Sequence, residues 1–97
     1  MTQVKVVRIY LSEDSPLIKE IYALLHEQKI LGATIFRGVK GYGPSGKERG
    51  ATILDFHFDL PMILEFFDEK EKVDKMIELL SHKINTGRML CWSADLI

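Results

Sequence analysis

The sequence predicts an α+β fold: a βαββαβ sandwich with a four-stranded antiparallel sheet and two helices on one face. Three observations predict it. Two segments repeat apolar residues at helical spacing. Each is bracketed by short, alternating segments rich in β-branched and aromatic residues, the pattern of half-buried strands. The strand-helix-strand order occurs twice within 97 residues, a length that buries one core, so residues 1–97 are expected to form a single domain.

VKVVRIYL (Val4–Leu11) alternates and is rich in β-branched residues, so it reads as the first strand. In SEDSPL, Ser15 is placed to cap a helix and Pro16 to occupy its first turn, where a missing N–H costs nothing. Leu17, Ile21, Leu24 and Leu25 continue on one stripe, and Gly32 is expected to supply the left-handed residue past the helix end. ATIFRGVKGYG (Ala33–Gly43) reads as a second strand that runs into a flexible, glycine-rich loop over about 43–52. TILDFHF and DLPMILEFFD both read as extended, with Pro61 at a bend or a strand start. The second helix follows Asp68 and Glu71, which have capping-box spacing, and presents Val73, Met76, Ile77, Leu80 and Ile84 as an apolar stripe. RMLCWSADLI (Arg88–Ile97) is the last strand. This order is that of a ferredoxin-like sandwich, with the first and third strands in the middle of the sheet.

Hydrophobic residues make up 46% of the chain and charged residues 28%, a globular balance. The formal net charge of −1 excludes whole-molecule attraction to nucleic acid or an acidic membrane, so any anion site is local. No segment has the apolar run of a signal peptide or a membrane span, and a cytoplasmic protein is expected. The single cysteine, Cys91, cannot form an internal disulfide and is expected to be a small core residue.

Alternation assigns Val7, Ile9, Leu11, Phe36, Met62, Leu64, Phe66, Leu90 and Trp92 to the helix side of the sheet. The open side then receives Val4, Val6, Arg8, Tyr10, Ile35, Arg37, Val39, Ile63, Glu65, Phe67, Met89, Cys91 and Asp95. That face is too apolar for water. Across it Arg37, Glu65, Arg8 and Asp95 alternate in sign, as burial between chains requires. These four residues are therefore expected at the interface of a homo-oligomer packed through the open face. The alternative is a monomer whose charged side chains snorkel.

RGVKGYG (Arg37–Gly43), DLPMILEFFDEKEKV (Asp59–Val73), VVRIYL in the first strand and the terminal SADL resemble a small uncharacterised bacterial and archaeal family described as PII-like. The resemblance spans nearly the whole chain. More distantly, ILGATIFRGVKGYG is similar to the segment of PII signalling proteins that ends V-K-G-F-G before their long T-loop. The resemblance implies a ferredoxin-like homotrimer whose sheets face the central axis, with an adenine nucleotide bound in the clefts between subunits. It implies a sensor that needs no cofactor and is not an enzyme, signalling through the 43–52 loop to a target protein such as a membrane transporter. Carried over residue by residue, Thr34 matches the threonine near the adenine. Gly41, Tyr42 and Gly43 mark where the strand leaves the sheet, and glycine there permits positive φ and close approach to an anion. Gly87 and Arg88 match the last glycine and the lysine of the phosphate-holding loop, with Arg88 offering a bidentate fork. Lys47 and Arg49 add charge to the loop.

The sequence departs from PII proteins where a glutamine helps coordinate magnesium: Pro44 and Ser45 stand there. The loop is shorter, and no arginine-rich segment follows at the C-terminus. ATP, ADP, AMP and cyclic AMP therefore all stay open as ligands. GYGPSG matches neither the Walker spacing nor the dinucleotide fingerprint. DFHFD places Asp55, His57 and Asp59 on one side of an extended segment. They form either a feasible divalent-metal set or the solvent side of a strand backed by Phe56 and Phe58. As a metal set they carry the alternative function, a divalent-metal-binding trimer resembling the copper-tolerance proteins that share the fold. His26 and His82, near their helix ends, are expected in solvent. Trp92 and the phenylalanines are expected in the core, since the basic interleaving of a nucleic-acid platform is missing.

Overall fold

The computed structural model describes residues 1–43, 48–50 and 60–97. Its elements run β1 (Thr2–Ser12), α1 (Leu17–Glu27), β2 (Gly32–Arg37), β3 (Lys40–Tyr42), β4 (Glu48–Gly50), β5 (Pro61–Asp68), α2 (Lys70–Ser81) and β6 (Met89–Leu96). β2, β5, β1 and β6 form, in that spatial order, the antiparallel sheet of an α+β, ferredoxin-like fold. β3 and β4 pair as a separate two-stranded ribbon, Gly41 opposite Arg49. The segment expected as one strand from Ala33 to Gly43 therefore breaks. At Gly38 the backbone N–H donates to the Pro61 carbonyl at 2.7 Å, and a Cβ would lie 2.8 Å from Pro61 Cγ, so glycine is required for the ribbon to leave there. Within the expected flexible loop, residues 48–50 are strand.

The core lies between the sheet and the helices. Val7 and Ile9 of β1, Leu64 and Phe66 of β5, Ile21 and Leu25 of α1, and Val73, Met76 and Leu80 of α2 are all buried. Apolar side chains spaced three and four apart on each helix meet the alternate residues of the two central strands. Ser15 caps α1: its Oγ accepts the N–H of Leu17 at 3.3 Å, and Pro16 takes helical dihedrals. The left-handed residue at the other end is Lys29 (φ 57°), not Gly32. Lys29 N–H donates to His26 and Ile30 N–H to Leu25, the paired closing bonds of a Schellman turn. Gly32 instead opens β2, where a Cβ would lie 2.4 Å from the Phe67 ring.

Asp68, 7% exposed, ends β5 and anchors α2. Its carboxylate accepts the N–H of Glu69 at 2.7 Å and of Leu31 at 3.0 Å, and meets the Lys72 ammonium at 3.3 Å. Lys72 also donates to the Lys29 carbonyl at 2.7 Å. The carboxylate expected to form a capping box with Glu71 thus ties the start of α2 to the start of β2. Burial pushes the Asp68 carboxyl up, but the two backbone N–H groups and Lys72 outweigh it and hold the group below the usual carboxylate range.

The register corrects the faces of both edge strands. Cross-strand partners share a face, so pairing of Ala33 with Phe66 and Ile35 with Leu64 puts Ala33, Ile35 and Arg37 on the helix side. Pairing of Val7 with Cys91 and Ile9 with Met89 does the same for Met89, Cys91 and Asp95. Phe36, Leu90 and Trp92, expected inward, lie on the open face, and Val39 falls outside β2. Cys91 is exposed rather than a core residue: of the β6 residues on the helix side, Met89 packs against the core while Cys91 lies beyond it.

Candidate functional site

The open face retains the apolar character expected of it, with different members. Val4 and Val6 of β1 are buried, while Tyr10, Phe36, Leu90, Trp92 and Leu96 are each between 37% and 45% exposed. Among the described residues one ion pair crosses it: Arg8 Nε donates to Glu65 Oε1 at 2.7 Å, and the Arg8 guanidinium lies 5.3 Å from the Trp92 ring centroid. The bond to Glu65 raises the Arg8 pKa above its ordinary value. The row through this pair reads Thr34, Glu65, Arg8, Leu90. Arg37 and Asp95 do not join it. Arg37 turns to the helix side and pairs with Glu13 in the β1–α1 connection, and Asp95 lies opposite Gln3.

The residues named for nucleotide binding divide into two groups. Thr34 sits exposed on β2, and Gly41, Tyr42 and Gly43 belong to the ribbon that leaves beside that strand. Tyr42 is 78% exposed. Gly87 and Arg88 lie in the turn before β6, at the opposite edge of the sheet. Three strand spacings separate the two edges, about 14 Å. Lys47 lies outside the described residues, as do Asp55, His57 and Asp59. Among the described residues no three His, Cys, Asp or Glu side chains form a group that could hold a metal ion.

Each group has its own local cause. Among the described glycines, Gly87 has positive φ, 88°, so the turn that presents Arg88 needs glycine. Gly41 and Gly43 do not have it. The role of Gly41 is close approach instead, since a Cβ there would be 3.3 Å from Pro61 Cγ. Arg88 is fastened by its backbone: its N–H donates to the Asn85 carbonyl and its carbonyl accepts the Tyr10 N–H at 2.9 Å. Arg88 lines a cavity of about 190 Å³ shared with Tyr10, Ser12, Ser15, Lys83 and Asn85. Lys83 is already paired with Glu20 at 2.6 Å, and among the described residues Arg88 is the cation of that cavity without an ion-pair partner. Lys83, Asn85 and Ser12 were not picked out in the sequence, where lone polar residues give no signal. His26 and His82 are exposed, as expected. No helix of the described residues is long and apolar enough to cross a membrane.

Comparison with known proteins gives relatives over nearly the whole chain. The model of the DUF190 family, described as uncharacterized ACR, matches residues 4–96. A UPF0166 protein from Aquifex aeolicus is 33% identical over 86 residues, covering 84% of this chain and 82% of its own. Among solved structures, CPII from Thiomonas intermedia, a nitrogen regulatory PII-like protein bound to ADP, AMP and bicarbonate, superposes with a TM-score of 0.70 at 19% identity. The match covers 96% of this chain and 87% of that one. CutA from Synechococcus elongatus superposes with a TM-score of 0.63 at 11% identity, covering 100% and 80%.

Proposed function

The chain belongs to the DUF190 family and has the fold of PII-like proteins, and from that premise we propose that it is a homotrimeric regulatory protein holding an adenine nucleotide between neighbouring copies. The observation that carries this function is the division of the site. Thr34 with the glycine ribbon, and Gly87 with Arg88, occupy opposite edges of one sheet, about 14 Å apart. One small ligand meets both groups when the β2 edge of one copy lies beside the β6 edge of the next. The same packing covers the open face, where Arg8 and Glu65 already neutralise each other.

In this arrangement Arg88 supplies a fork for the phosphates, while backbone amides at Gly41–Gly43 approach them closely. Thr34 faces the base, and Lys47 adds charge from the loop. ADP, bound by the CPII neighbour, is the first ligand to test, with ATP, AMP and cyclic AMP beside it. The 43–52 loop, carried by the ribbon with Tyr42 78% exposed at its root, is the element that meets a target protein. A change in its position on nucleotide binding makes the protein a sensor rather than a catalyst.

Thermal unfolding of the full chain with each of the four nucleotides, and with zinc and copper, tests this. A ligand at about 100 times its Kd stabilises by about 2.7 kcal/mol. The proposal expects a nucleotide shift that Arg88→Ala abolishes without changing the oligomer. No shift with any nucleotide overturns it, and a shift with a metal alone would favour the divalent-metal alternative carried by Asp55, His57 and Asp59.

A further inference from the structure

Arg37 is left over from the open face, and its surroundings give it another task. Its guanidinium donates through one Nη2 to Glu13 Oε1. The two partners are unequal: the Arg37 side chain is 59% exposed, that of Glu13 only 12%. Among the described residues Glu13 Oε2 is buried with no hydrogen-bond partner. A carboxylate held this way is a poor stabilising device, because one buried lone-pair set stays unsatisfied. It is an effective way to aim an arginine. Glu13 is itself fixed through its N–H, which donates to the Leu60 carbonyl at 2.9 Å, beside the Pro61 that clamps the ribbon root at Gly38. A guanidinium has five N–H donors, and with the Arg37 side chain 59% exposed the bond to Glu13 does not exhaust them.

The sheet register sets its height. Arg37 is level with Met62 and Leu11. Arg88, bonded through its carbonyl to Tyr10, is level with Tyr10, Ile63 and Phe36, one residue away. Thr34 lies three residues below Arg37, on the order of 10 Å along the strand. A cyclic assembly about an axis running along the strands preserves these heights, so Arg37 of one copy and Arg88 of the next arrive at the same level. Thr34 is then lower in the same seam but on the open face of β2 where Arg37 takes the helix side, so the ligand lies along the strand edge between the two. A nucleotide with its base at Thr34 would carry its phosphates up to the two arginines.

We propose that Arg37 is a second phosphate-binding residue of the seam, aimed by Glu13 as a positioning residue and opposed by Arg88 of the neighbouring copy. The assignment rests on the nucleotide function proposed above. It sets the ligand class further: two forks suit a diphosphate better than a single phosphate.

Titration calorimetry of the full chain with ADP and with AMP tests it. Arg37→Ala leaves Glu13 buried without its cation and endangers folding, so the variant to use is the neutral pair Arg37→Gln with Glu13→Gln. Glu13→Gln alone serves as the second variant. The double variant is expected to stay folded and oligomeric and to lose about tenfold or more in ADP affinity, with a smaller loss for AMP. Glu13→Gln should lower the ADP preference less, because the cation remains but is held less firmly. A folded double variant with an unchanged ratio of ADP to AMP affinity overturns the role of Arg37 while the nucleotide function stands. Absence of ADP and AMP binding by the wild-type chain overturns both.

Discussion

Replacing Asp68 by alanine should be the costliest single change outside the apolar core, because one carboxylate fixes two elements. Its oxygens take the N–H of Glu69 at 2.7 Å and of Leu31 at 3.0 Å. Hydrogen bonds to a charged group contribute about 1.5–3 kcal/mol each. The contact to the half-exposed Lys72 adds at most about 1 kcal/mol. The loss is then about 3–7 kcal/mol, a large part of the 5–15 kcal/mol typical of a domain. Asp68→Asn keeps one acceptor but turns an amide donor toward another, so about half that loss is expected. Urea unfolding at fixed protein concentration measures both. The pH dependence has a definite sign. The folded carboxyl titrates below its unfolded value, so its stabilisation is complete above the usual aspartate pKa and fades as pH falls through the depressed folded one. The gap between wild type and Asp68→Ala should therefore shrink as pH drops from about 5 toward 2. A loss below about 1 kcal/mol at neutral pH, or a gap that widens in acid, would refute the role assigned to this residue.

Lys29→Gly should raise stability by up to about 1 kcal/mol, read in the same urea assay, because a lysine holds the left-handed position that closes α1. Gly87→Ala should cost about 1–2 kcal/mol at φ 88° and displace Arg88, so nucleotide affinity measured by calorimetry falls with stability. Arg8→Ala alone should weaken the oligomer in sedimentation, leaving Glu65 uncompensated on an apolar face, whereas Arg8→Leu with Glu65→Leu should leave it intact or strengthen it.

The central strands were legible because each has one face under the helices. Val7, Ile9, Leu64 and Phe66 had to alternate inward, and they do. The edge strands were not. Apart from Met89 at its start, β6 does not pack against the core, so nothing forces its bulkiest residue inward. Cys91 takes the helix side and Trp92 the open one. On β2 the small Ala33 packs against the core instead of Phe36. Half of the four-charge row vanished with that shift, yet its centre, Arg8 with Glu65, belonged to the legible strands and held. The phosphate turn was legible through Gly87 and Arg88, which are adjacent in sequence. The Arg37–Glu13 pair was not, because it joins a strand end to a connection 24 positions away. Lys29 was missed because the expected cap was the nearest glycine, three residues further on.

Sedimentation equilibrium at micromolar concentration, paired with small-angle scattering, bears most directly on whether the open face is covered by other copies of this chain. The expected particle has three times the 11.1 kDa chain mass, with a compact profile that one protomer's dimensions cannot fit. A stable 11.1 kDa species whose scattering matches a single chain, Trp92 and Leu90 bare to water, would contradict both the assembly and the shared nucleotide seam built on it.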